Sequence, residues 1–207
     1  MGCSVKKIGQ YSSDIVLVLT QNTYHRDRPM HRILSVNPSL PQHIDQMARA
    51  PEVYRPFACP HCGMAGLWLH GFYERKPDRD GAAAASLNPV RVTRFCCSPC
   101  GRTCSRLPLC IAPRRWHPWA KQQRVLLDLL AGASLRGAAM CAGVAHHTAR
   151  RWRDWMHACT STLSFVLRSR FPELGRGGDG PRFWTACMVA MSLADAMAWA
   201  DREISVP

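Results

Sequence analysis

An α+β fold is predicted by three features of the sequence. Two C-x-x-C-G motifs bracket a strand-like stretch, a helical rhythm with a glycine-centred break lies downstream, and the chain closes on an apolar stretch with helical spacing. They divide the 207 residues into four segments: a β-containing N-terminal segment (1–55), a cysteine-rich β segment (56–112), a helical segment (113–160) and C-terminal helices (161–207) available for packing or oligomerisation.

In the first segment two β-branched runs, DIVLVLT (14–20) and HRILSV (31–36), are broken by Pro29, Pro38 and Pro41. They predict strands and loops, then a short helix around Ile44–Ala48. The opening residues do not make a signal peptide, because the apolar run Ile15–Leu19 is short and has no small-residue cleavage site behind it. The start MGCSVK is too weak a match to count as a lipidation signal.

The second segment carries Cys59-Pro-His-Cys62-Gly and Cys97-Ser-Pro-Cys100-Gly. Two thiolates separated by two residues converge on one ion only if the backbone turns sharply, and the following glycine tolerates that turn. Four such thiolates close a tetrahedral, structural zinc site with no open position. Between the motifs, LWLHGFYER (67–75) and VRVTRF (90–95) read as strands leading away from the metal and back, with the surplus in loop 76–89. Segment 56–112 is therefore expected to be a four-cysteine zinc ribbon built on Cys59, Cys62, Cys97 and Cys100, with one structural Zn2+. Cys96 would break the symmetry of the knuckles, His61 points away inside one of them, and Cys104 and Cys110 read as small packing residues. Eleven cysteines without a secretory signal suit a reducing cytoplasm better than a disulfide scaffold.

The third segment follows PLCIAPRRWHP (108–118), a stiff, proline-rich connector whose Arg114 and Arg115 are placed to track phosphates or enter a minor groove. KQQRVLLDLL (121–130) predicts a helix with Val125, Leu126, Leu129 and Leu130 inward. Ser134 caps a second helix, Leu135–Cys141, and Gly143 turns the chain into a third from about His146. Ala139 and Gly143 let the two helices cross closely, which is helix-turn-helix spacing. In the third helix Ala149, Trp152, Met156 and Cys159 form an apolar stripe. His147, Arg150, Arg151 and Asp154 share the opposite face, with Thr148 beside them and Arg136 on the helix before.

Charge agrees with this pattern. The formal net charge is +13, and residues 91–158 hold twelve Lys or Arg against two acids. Such a surplus seeks an anionic partner, here double-stranded DNA. In the last segment, apolar residues at 184, 187, 188, 191, 194 and 198 predict one helix over Phe183–Trp199. It either packs on its own domain or pairs two copies into a homodimer. The apolar run from Phe183 stops at Asp195, too short for a membrane span.

The order CPHCG, HGFYER, FCCSPCGRTCSRLP and SLRGAAMCAGVAHHTARRW, over roughly residues 54–158, resembles the N-terminal, DNA-binding part of bacterial insertion-sequence transposases, and especially a small family of transposase-like zinc-ribbon plus helix-turn-helix proteins. The resemblance implies zinc on Cys59, Cys62, Cys97 and Cys100, and DNA on His147, Thr148, Arg150 and Arg151. One departure is Cys104, where that family usually has an aromatic residue. The 49 residues after position 158 are too few for a domain holding three metal-binding carboxylates, so no enzyme activity is expected. The function this implies is non-catalytic, sequence-specific binding to the ends or promoter of a mobile element, in the cytoplasm with the nucleoid, alone or beside a transposase or recombinase. Two alternatives remain: a DNA-binding subunit whose active site sits on a partner, and a zinc-ribbon protein-interaction adaptor.

Overall fold

The computed structural model describes residues 32–77, 86–113, 116–175, 178–204 and 206. The run at 14–20, the alanine-rich loop at 82–85 and both Arg114 and Arg115 lie outside them. The fold is α+β, as expected: small sheets built around the cysteine motifs, and a helical body.

The chain enters through a two-residue strand, β1 (Ile33–Leu34), shorter than HRILSV suggested. The helix expected at Ile44–Ala48 is longer and begins earlier, as α1 (Leu40–Arg49). Its start is fixed by a capping box in which Ser39 Oγ accepts from the Gln42 N–H and Gln42 Oε1 accepts from the Ser39 N–H. Pro41 sits in the first turn, where a missing N–H costs nothing.

The main sheet has the order β2–β3–β4, with β2 (Leu67–Arg75) antiparallel to β3 (Val90–Cys97), and β3 antiparallel to β4 (Thr103–Cys104). The register shifts between Leu69 and Gly71, so His70 is the extra residue of a bulge. Because strand side chains alternate, register assigns them to faces. On one face Leu69, Phe95 and Cys104 are paired in a row and join Tyr54, Cys59, Leu67 and Cys97 in a buried cluster under α1. On the other, Val90, Val92 and Tyr73 pack with Leu107 and Ile111, but only over the half of the sheet remote from the cysteines. The near half of that second face, with Trp68, Arg94, Cys96 and Thr103, is left open.

A buried polar relay anchors α1 to the sheet. Tyr54 Oη accepts from Asn37 Nδ2 (2.7 Å) and lies 2.7 Å from His43 Nδ1, while His43 Nε2 lies 2.8 Å from the Arg91 carbonyl. A carbonyl can only accept, so Nε2 carries the proton and Nδ1 accepts from the tyrosine. His43 is wholly buried, and burial holds its pKa below the usual 6.5, against the Arg91 hydrogen bond.

The helical body comprises α2 (Trp119–Leu130), α3 (Leu135–Cys141), α4 (His146–Arg170), α5 (Gly180–Ala190) and α6 (Leu193–Ala200). Helix α4 runs without a break through residue 160, and residues from both sides of it enter one core. Thr160 Oγ1 bonds back to the Met156 carbonyl and accepts from Trp184 Nε1 (2.9 Å), clamping α5 onto α4. Gly180 sits where a Cβ would meet Thr160 Cγ2 at 3.0 Å.

The single helix expected over Phe183–Trp199 is two helices bent by 105°. The first ends at Ala190 with Met191 as its C-cap, and Ser192 caps the second, its Oγ accepting from the Asp195 N–H (3.1 Å). Both pack on the chain's own core, with Phe183, Trp184, Leu193 and Met197 at 1% exposure or less. Among the described residues no single helix is long and apolar enough to cross a membrane.

The two parts are tied by β5 (Leu107–Pro108), which pairs parallel with β1, and by the carboxylate of Asp201 just after α6. Asp201 Oδ2 accepts from the N–H groups of Arg32 and of Ile33 (2.9 Å), so the end of the helical body holds the strand that enters the ribbon.

Candidate metal centre and basic helix face

The two knuckles are built alike, bond for bond. In the first, Gly63 N–H donates to the Cys59 carbonyl (2.8 Å) and Cys59 N–H to the Met64 carbonyl (2.9 Å). In the second, Gly101 N–H donates to the Cys97 carbonyl (2.8 Å) and Cys97 N–H to the Arg102 carbonyl (3.0 Å). Both turns require the left-handed backbone that only glycine adopts without cost, with φ of 75° at Gly63 and 67° at Gly101. Ser98 locks the knuckles together, its N–H and hydroxyl both donating to the Gly66 carbonyl (3.1 and 3.0 Å).

This folding brings Sγ of Cys59, Cys62, Cys97 and Cys100 within 4.8 Å of one another. Cys59 and Cys100 lie 3.7 Å apart, and Cys62 and Cys97 lie 3.6 Å apart. A tetrahedron with metal–sulfur bonds of about 2.3 Å has edges of about 3.8 Å, so the sulfurs are spaced to share one ion. Backbone N–H groups already face them, with His61 N–H donating to Cys59 Sγ (3.4 Å) and Arg102 N–H bonding to Cys100. The Arg102 bond is the main reason the Cys100 thiol is brought down to about 7, whereas burial pushes Cys97 up to about 12. Four neighbouring thiols cannot all ionise unaided, because each thiolate raises the cost of the next; a divalent cation removes that conflict.

The other sulfurs and imidazoles stand apart. Cys96 Sγ points to the Gly101 carbonyl (3.6 Å), Cys104 fills the core beneath the site, and Cys110 packs by Val90 and Ile111. Neither His61 nor His70 joins the cluster. The spacing of the motifs disclosed the four thiols that converge, but not the N–H donors or the Ser98 clamp, which depend on how two distant turns meet.

The second candidate site lies on α3 and α4. Helix α3 ends in two bonds, Gly143 N–H to the Met140 carbonyl (3.1 Å) and Val144 N–H to the Ala139 carbonyl (2.9 Å), with Gly143 at φ 61°. This is a Schellman ending, and it turns the chain directly into α4. Ala139, Ala149, Trp152 and Met156 are buried at the crossing, with Val144 packed beside them. His147, Arg150 and Arg151 are exposed on the outer face of α4, with Arg136 exposed on α3 and Thr148 partly covered. Among the described residues, Arg136, Arg150 and Arg151 have no ion-pair partner. Asp154 does, bound by Arg153 through Nε (3.0 Å) and Nη2 (2.8 Å). The first turn of α4 carries no acid and has no side-chain cap.

Comparison with family models, curated proteins and solved structures finds no match to this chain.

Proposed function

We propose that this protein binds duplex DNA sequence-specifically through α4 and has no active site of its own, with one zinc ion folding the ribbon that precedes it. The observation that carries the reading is the outer face of α4. Two arginines without ion-pair partners among the described residues and a histidine stand together at the start of a helix that a tight turn presents away from the core. An arginine so placed grips guanine O6 and N7 in the major groove, and the exposed N-terminal N–H groups suit a phosphate. All-thiolate donors at tetrahedral spacing favour zinc over harder cations. The likeness of the motif order to transposase DNA-binding parts suggests the ends or promoter of a mobile element as target, with a transposase or recombinase as partner.

The test is selection of bound fragments from random duplexes by the zinc-loaded protein, followed by binding measured against salt. A preferred site should emerge, and affinity should fall steeply with salt, by about 0.9 log unit per log unit for each phosphate contacted. Arg150→Ala and Arg151→Ala should each cost about 1–3 kcal/mol and relax preference at particular base pairs. Binding that ignores salt, or arginine variants that bind the selected site as well as the parent, would reject the reading.

A further inference from the structure

The open half of the ribbon's outer face points to a second site, separate from α4. We propose that Trp68, His70 and Arg94 form a stacking platform for an unpaired stretch of nucleic acid, one base lying on the indole and its phosphate on the Arg94 guanidinium.

The face is built by the bulge. Register places Trp68 beside Cys96 and Cys96 beside Thr103, in a row across three strands, with Gly71 opposite Arg94 in the next row. Every neighbour of the indole in this array is small or polar. Trp68 is 47% exposed near the start of the edge strand β2, and its ring meets that of His70 edge-on at 5.0 Å between centroids. Arg94 lies across the Tyr73 ring at 5.4 Å and has no acidic partner among the described residues. Glu74 is paired opposite Arg91, which alternation puts on the other face. Gly71 keeps the surface beside these groups clear, since a Cβ there would meet nothing within 4 Å.

A protein-docking patch needs an apolar core around its anchor, whereas this anchor is ringed by glycine, cysteine and threonine. A flat exposed aromatic ring over small side chains, with a guanidinium in the next row, instead matches a planar base with its phosphate to one side. Paired bases in a duplex are already stacked and cannot lie on it. The proposal does not rest on duplex reading by α4, because the two use different residues on different elements.

Anisotropy with labelled oligo(dT) and oligo(rU) of about twelve nucleotides, using the zinc-loaded full chain, tests it. Saturable binding is expected, weakened on the order of tenfold or more by Trp68→Ala, largely restored in Trp68→Phe, and made less salt-dependent by Arg94→Ala. A preference between the two oligomers would tell which sugar the site accepts. Trp68→Ala should leave binding to the selected duplex unchanged, and Arg150→Ala should leave oligomer binding unchanged. No binding to either oligomer, or Trp68→Ala and Arg94→Ala both binding like the parent, overturns the proposal. So does equal loss of duplex binding in Trp68→Ala, which would make the face part of the duplex interface. Metal content of each variant is measured alongside, and should Trp68→Ala lose its zinc, Trp68→Phe and Arg94→Ala carry the test.

Discussion

The ribbon and the helical body reach a stable fold by different means. Near the cysteines the ribbon buries Tyr54, Cys59, Leu67, Phe95, Cys97 and Cys104, a set too small to hold a sheet by apolar burial alone, and two of the six are themselves candidate ligands. The helical body buries a continuous core that runs from Ile33 through Leu126, Trp152, Leu163 and Trp184 to Val206. One half converges on four thiols spaced for a cation and the other on a packed core. The sharpest way to break this comparison is to remove each support in turn and see whether the other half notices.

The largest effect should follow loss of the metal. Structural zinc contributes on the order of 10 kcal/mol to folding a small metal-built module. Cys97→Ser, or a strong chelator on the parent protein, should abolish stoichiometric metal and collapse the amide dispersion of β2 and β3, while most helical circular dichroism persists. Simultaneous loss of the helical signal would show that the body cannot stand without the ribbon, with the ties at Asp201 and β1 as the reason.

The converse experiment is a cavity in the body. Leu126 is fully buried between α2 and its neighbours, so Leu126→Ala should cost about 3 kcal/mol and lower the melting temperature by roughly 10 °C. Metal content should not change. A variant that loses zinc as well would mean that the two halves fold as one unit.

A smaller, pH-dependent effect belongs to the relay between the sheet and the N-terminal helix. His43 is neutral in the fold and titrates below its usual 6.5, chiefly because it is buried. The unfolded chain therefore takes up a proton first as pH falls. The stabilising effect of the neutral relay is complete above pH 6.5 and is lost below it, with a slope of at most about 1.4 kcal/mol per pH unit. Melting of the zinc-loaded protein between about pH 7.5 and 5.5 should show this fall, and His43→Gln should flatten it. An unchanged slope in that variant would assign the effect to other groups, the thiolates first.

The comparison also explains what the sequence could and could not disclose. The cysteine knuckles and the turn into α4 are local devices: C-x-x-C-G needs its glycine at Gly63 and Gly101, and a Schellman ending needs Gly143, so residue types alone marked them. What escaped was set by distant partners. The clamp of Trp184 on Thr160 comes from another helix, and the relay of Asn37, Tyr54, His43 and Arg91 joins four places in the chain. The open face around Trp68 needed the register shift at His70, which alternation in LWLHGFYER conceals. The break at Ser192, by contrast, was missed although a local signal marks it. Ser-Leu-Ala-Asp is a helix-start pattern, hidden by the apolar residues on both sides of it.

That break gives the smallest effect and asks what fixes the bend. If the Ser192 hydroxyl decides it, removing the cap should let Met191 and Ser192 continue α5, and the 105° angle would open. Packing argues otherwise. The Leu193 N–H is also held by Gln123 Oε1 at 2.8 Å, and Leu193, Ala196 and Met197 are each buried to within 1%. Straightening the pair would pull all three out of the core, at several times the roughly 1 kcal/mol worth of an N-cap. Ser192→Ala should therefore lose about 1 kcal/mol and keep its bend, with helical content unchanged. Adding Gln123→Ala should cost more than the sum of the two single changes, because the Leu193 N–H is then left with no substitute as the first turn frays. A gain of helical signal in Ser192→Ala would mean that the cap, rather than the core, turns the chain.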